Sequence, residues 1–103
     1  MIYQEIDVNG YWKVIVVYNV FLGEINSGFT QTDFNKKLSI VGIANADSSK
    51  EFMNTIVHEA KHVQSAICKY YNVSEDGEDA AYLIGFLVQK MYEKIKSYLS
   101  TKK

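Results

Sequence analysis

Hydrophobic and polar positions follow different rhythms in the two halves of this chain. In the first half they alternate or crowd together. Residues 3–8 alternate loosely, and Asn9-Gly10 is a two-residue hairpin signal, because both residue types tolerate positive φ. Residues 11–22 are dense in β-branched and aromatic side chains: Trp12, Val14, Ile15, Val16, Val17, Tyr18, Val20 and Phe21. Such a run predicts a strand near the middle of a sheet or covered on both faces. Asn26-Ser27-Gly28 marks a further turn, residues 29–34 a short strand or an ordered loop, and residues 38–46 another strand.

In the second half the period lengthens to that of a helix. Ser48-Ser49-Lys50-Glu51 fits a capping box, with Ser48 as the cap and Glu51 reaching back. Phe52, Ile56, Ala60, Val63, Ile67 and Tyr70 then recur every three or four residues as one apolar stripe. This helix should end near Tyr71-Asn72, ahead of a polar connection at residues 73–77, and a second helix is predicted over residues 78–99. The expected fold class is α+β: a small, mostly antiparallel sheet in the N-terminal half, packed on two long helices.

Composition narrows the picture. A chain of 103 residues without proline or any linker is expected to form one domain, residues 1–103. Its 48% hydrophobic content is globular, and a formal net charge of -1 carries no electrostatic footprint for nucleic acid. Only Lys94, Lys96, Lys102 and Lys103 lean basic, as a helix C-terminus does to complement its dipole. No apolar stretch approaches membrane-spanning length, so no membrane association is expected. The single cysteine, Cys68, excludes an intrachain disulfide, and the start Met1-Ile2-Tyr3-Gln4-Glu5 lacks the pattern of a secretory signal. A cytoplasmic location is the default expectation. Oligomeric state is left open.

The residues that carry chemistry are His58-Glu59-Ala60-Lys61-His62. On a helix, positions i and i+4 share a face, so both imidazoles can reach one ion. The chain has two histidines, and both fall in this pattern. At about 100° per residue both point away from the apolar stripe, so the helix can pack on the sheet with one side and face a cleft with the other. Zinc accepts imidazole nitrogen well and lowers the pKa of a bound water toward about 7. Glu59, next to the first histidine, is placed to take a proton from such a water.

A catalytic zinc ion, one per chain, needs a third protein ligand. Cys68 is six residues beyond His62, about 9 Å further along the axis, and is read as a small buried apolar residue. The remaining candidates are Glu75, Asp76, Glu78 and Asp79. Stepping by three and four from Glu78 gives Ala81, Gly85, Val88, Tyr92, Ile95 and Leu99, an apolar seam with a carboxylate at its head. Glu78 is therefore the expected ligand, with Ala81 and Gly85 letting the helices approach closely.

The sequence from Thr55 to Tyr82, about a quarter of the chain, resembles the gluzincin branch of HExxH zinc metallopeptidases, above all their minimal single-domain, zincin-like members. The resemblance implies Glu59 as general base, Glu78 as the ligand that completes the metal site, and a peptide or protein as substrate. It also implies that the strand ahead of the motif helix, residues 38–46, lines the cleft and pairs with substrate backbone. Where many members carry an acid four residues after the ligand glutamate, this chain has Tyr82. Tyr82 becomes the candidate for oxyanion stabilisation, with Tyr70 and Tyr71 as alternatives. A second expectation is a non-catalytic binding module that keeps the fold with a structural or vestigial metal site.

Overall fold

The sheet begins with a hairpin that its turn residues dictate. Asn9 and Gly10 adopt φ values of 51° and 81°, and Tyr11 N–H closes the turn on Val8 C=O at 3.0 Å. The backbone twist of such a turn matches that of the flanking strands, so β1 (Ile2–Val8) pairs antiparallel with β2 (Trp12–Val20) in the register Val8↔Trp12 through Ile2↔Tyr18. The computed structural model describes residues 2–20 and 27–99. The expected strand positions Phe21 and Leu22, the turn residue Asn26 and the terminal Lys102 and Lys103 lie outside these.

β3 (Gly28–Asp33) and β4 (Leu38–Ala44) complete a four-stranded sheet in the order β1-β2-β4-β3. β4 runs parallel to β2 and antiparallel to β3, so the sheet is mixed, with two of its three pairings antiparallel. β2 is central, as its β-branched run predicts, but it is buried on one face only. Trp12, Val14, Val16 and Tyr18 point into the core, while Ile15 and Val17 are half-buried on the other face. The stretch read as a strand over residues 38–46 stops at Ala44. At Gly42, the outer face of β4 passes directly under the Phe29 ring, where a Cβ would lie 2.1 Å from the ring.

Both helices cover the inner face. α1 (Ser49–Tyr71) is capped by Ser48, whose hydroxyl accepts from Glu51 N–H at 3.2 Å, and it ends at Asn72 in the left-handed region, φ 57°. α1 packs over β3 and β4, and α2 (Glu78–Leu99) over α1 and β1. The core joins Ile6, Val8, Trp12, Val14, Val16, Tyr18, Val41 and Ile43 of the sheet to Phe52, Ile56, Ala60, Val63 and Ile67 of α1. α2 adds Leu87, Met91, Ile95 and Leu99. Trp12 is capped at the end of the sheet by Phe34, Tyr70 and Tyr71, with ring centroids 5.5 to 6.4 Å away. Tyr18 is fully buried; burial pushes its phenol pKa up, and it donates to Gln4 Oε1 at 2.6 Å. No helix among the described residues is long and apolar enough to cross a membrane.

The inward seam of α2 is not the one the periodicity suggests. It starts at Ala80 and continues through Leu87 and Met91, meeting the expected series only at Ile95 and Leu99. Glu78, Ala81, Gly85 and Tyr92 are exposed, and a Cβ at Gly85 would meet nothing within 4 Å. Gly85 is thus no close-approach point between helices. The larger side chains Leu87 and Met91 decide the rotation of α2, because they bury more apolar area than Ala81 and Gly85.

The Gly42–Phe29 contact makes a direct test of the packing. Gly42→Ala forces the Phe29 ring or the β3–β4 pairing to shift, so it should destabilise the fold by about 1–3 kcal/mol, the usual cost of overpacking. Urea unfolding measures this; an unchanged midpoint would mean that the ring moves aside at no cost.

Candidate functional site

Helix α1 presents three kinds of residue around its circumference. Ile56, Ala60, Val63 and Ile67 face the core. His58 and His62 face away from it and are exposed, as the sequence requires. Glu59 lies between the two directions, where α1 meets the edge strand β3, and it is 4% exposed.

The two imidazoles converge. Their Nε2 atoms stand 3.2 Å apart, with ring centroids at 4.8 Å and planes at 78°. Two nitrogens bound to one tetrahedral zinc at about 2.0–2.1 Å lie about 3.3 Å apart. The pair therefore fits two corners of such a site without moving either ring. The same distance suits one N–H donor facing one bare nitrogen, so these rings can share a proton or a cation.

Glu59 is held by strand β3. The Thr30 hydroxyl donates to its Oε1 at 2.6 Å. Its other oxygen lies against Gly28, where a Cβ would come within 3.0 Å of Oε2 and 2.9 Å of Thr55 Cγ2. Glycine at position 28 leaves room for the carboxylate. His58, Glu59 and His62 open into one cleft of about 430 Å³, walled by Gly28, Phe29, Thr30, Thr32 and Phe34. Behind it a polar relay runs into the core: Trp12 Nε1 donates to Ser39 Oγ at 3.1 Å, and Ser39 Oγ meets Thr32 Oγ1 at 2.9 Å.

The strand that lines this cleft is β3 rather than residues 38–46. β4 is flanked on both sides by β2 and β3, so its backbone groups are already paired, whereas β3 is an edge of the described sheet. The residues that sequence reasoning missed are Gly28, Thr30 and Thr32. Their period-two spacing in a polar strand, beside an apolar one, was the available signal: all three point to the inner face, paired with Ile43, Val41 and Ser39.

Other expected site residues lie elsewhere. Tyr82 is 81% exposed and lines a separate pocket of about 530 Å³ with Tyr11, Tyr71, Asp79 and Phe86. It does not line the cleft, and the two pockets share no lining residue. Of the alternatives, Tyr71 lines that same pocket, while Tyr70 stacks on Phe34 at 6.3 Å without itself lining the cleft. Cys68 is buried, and burial raises its thiol pKa, in keeping with a packing role. Glu78 is exposed in the first turn of α2. Among the described residues no three His, Cys, Asp or Glu side chains stand close enough to hold one ion, so Glu78 does not join His58 and His62 in this conformation.

The Thr30–Glu59 bond is measurable. Thr30→Val keeps the shape of the side chain and removes the donor, leaving a buried carboxylate short of a partner, and should cost about 1–3 kcal/mol of stability. Adding Glu59→Gln to that variant should recover part of the loss in a double-mutant cycle; strictly additive effects would show that the contact contributes nothing. The chain matches no protein-family model, no curated protein and no solved structure.

Proposed function

We propose that this protein is a metal-dependent hydrolase acting on peptide bonds, with zinc held by His58 and His62 and with Glu59 as general base. One observation carries the proposal: two imidazole nitrogens 3.2 Å apart open into the same cleft as a carboxylate on the intervening turn. A third protein ligand would come from the acidic segment that joins the helices, where Glu75, Asp76, Glu78 and Asp79 lie. When bound, zinc would supply Lewis acidity and bring the pKa of a water toward about 7.

The chain's own residues divide the remaining work. Glu59 accepts the proton of the attacking water and passes it to the leaving amine. Thr30 fixes the carboxylate by donating to Oε1, so that Oε2 is the oxygen left for proton transfer. The edge of β3, unpaired among the described strands, offers backbone groups to an extended substrate. Phe34 gives the cleft an apolar wall, while the Phe29 ring lies over Gly42 on the outer face of the sheet.

The position of Tyr82 favours a second function. With this tyrosine in another pocket, none of the expected oxyanion donors lines the cleft with His58 and Glu59. A non-catalytic module, with the metal as a structural tie and the β3 edge as the surface for a partner protein, would need no such donor.

Protein purified without chelator should carry zinc close to one per chain by elemental mass spectrometry. Glu59→Gln should keep that zinc and lose at least about 100-fold in peptide hydrolysis, the scale of a removed general base. Zinc without turnover of any peptide in the parent would select the non-catalytic module. A parent that takes up no zinc would end both.

A further inference from the structure

We propose that the pocket bounded by Tyr11, Tyr71, Tyr82 and Asp79 is a second binding site, and that it takes a small organic ammonium ion carrying an apolar body. The pocket shares no lining residue with the histidine cleft, so this inference does not depend on the metal.

Three elements meet at this pocket. The β1–β2 hairpin brings Tyr11, the last residue of α1 is Tyr71, and α2 brings Asp79, Tyr82, Leu83 and Phe86. These four recur at spacings of three and four, so they share one face of α2. Ala80, Leu87 and Met91 take the core, which leaves the Asp79 series to line the cavity. Tyr11 and Tyr71 are fixed to each other. Their rings meet edge to face at 5.3 Å and 89°, and the Tyr71 hydroxyl donates to Tyr11 C=O at 3.3 Å. Tyr82, 81% exposed, stands at the rim. Scattered exposed tyrosines need no explanation, but these three gather round one cavity of about 530 Å³. That volume lies within the range of about 300–1,000 Å³ usual for small-molecule sites.

Charge selects the ligand. Among the described residues Asp79 is the one charged side chain lining the pocket, and it has no ion-pair partner. The helix dipole favours an acid in this first turn, yet it favours Glu78 equally, and Glu78 does not line the cavity. Burial raises the pKa of the Cys68 thiol on the pocket wall, and the Glu75 and Asp79 carboxylates raise it further against the opposing charge of Lys61. An anionic ligand would meet repulsion there, and a neutral one would cover the Asp79 carboxylate without pairing it. A bare hard metal ion, which takes six or more oxygens, would find a single carboxylate in mostly apolar surroundings. An ammonium ion pairs with that carboxylate and is attracted to the faces of the tyrosine rings. Its apolar body takes the place of water against Val8, Ile67 and Leu83. The Phe86 ring already carries a cation, Lys90 Nζ at 5.7 Å from its centroid, although Lys90 itself lies outside the lining. Asp79 and the three tyrosines are thus left for the ligand.

Titration of the full chain with phenyltrimethylammonium, followed through the N-methyl protons by NMR, tests this. Saturable binding with an upfield shift of those protons is expected, because they lie over aromatic rings. Benzyl alcohol, of similar size and uncharged, should bind at least about tenfold more weakly, and benzoate more weakly still. Asp79→Asn should weaken binding of the cation about tenfold while leaving the alcohol within about twofold. Tyr82→Ala should weaken the cation about threefold, and Tyr82→Phe, which keeps the ring, should stay close to the parent. Glu78→Gln removes the neighbouring charge and should leave binding unchanged. Both Asp79 and Tyr82 are exposed, so their replacement leaves the core intact. Equal binding of the alcohol and the cation would overturn the inference, as would an Asp79→Asn variant that binds the cation like the parent. Absence of saturable binding to the parent would overturn it as well.

Discussion

The rotation of α1 about its own axis is the constraint on which the rest of this structure depends. Phe52, Ile56, Ala60, Val63 and Ile67 are buried against the sheet, and each large side chain among them contributes roughly 1.5–3 kcal/mol by leaving water. No surface contact on the opposite side competes with that sum. Once the stripe is seated, every other position on the helix has its direction assigned. His58 and His62 must face outward, and Glu59 must fall at the seam between α1 and β3. The convergence of the imidazoles follows from helix geometry, and burial of the stripe decides what they face.

The seam at Glu59 explains the composition of β3. A carboxylate removed from water costs several kcal/mol unless its oxygens find donors or remain in reach of solvent. β3 answers with a glycine and two threonines on its inner face, where β2 and β4 place valine, isoleucine and tyrosine. Thr30 bonds the carboxylate, Gly28 leaves it space, and Thr32 joins the Ser39–Trp12 relay. The edge strand is polar inward because the helix delivers a charge there.

The second helix obeys a different balance. Two periodic series are available in residues 78–99, one headed by Glu78 and one by Ala80. The second carries Leu87 and Met91, and the core takes it. The apolar content of Ala81 and Gly85 is too small to draw Glu78 inward. The acidic segment is bound to α1 by the Gln64 amide and by the Ser65 hydroxyl, which hold Glu75, not Glu78, against that helix.

Elements whose formation depends on neighbours in sequence were legible from the chain alone. Asn9-Gly10 specified the hairpin, Ser48 the start of α1, and the 3.6-residue period the helix and its outward histidine face. Such features rest on φ preference, a local cap and the spacing of side chains on one cylinder. Choices between partners distant in the chain needed the tertiary structure. That β4 would insert between β2 and β3, leaving β3 at the edge, is a matter of strand pairing that periodicity does not encode. That Thr30 would meet Glu59 across 29 positions, and Tyr82 turn to another pocket, depends on how helix and sheet are set against each other. The physical reason is the same in each case. A local pattern states which side of an element is apolar, and only the competition among all apolar sides for one core decides what the polar sides are left to face.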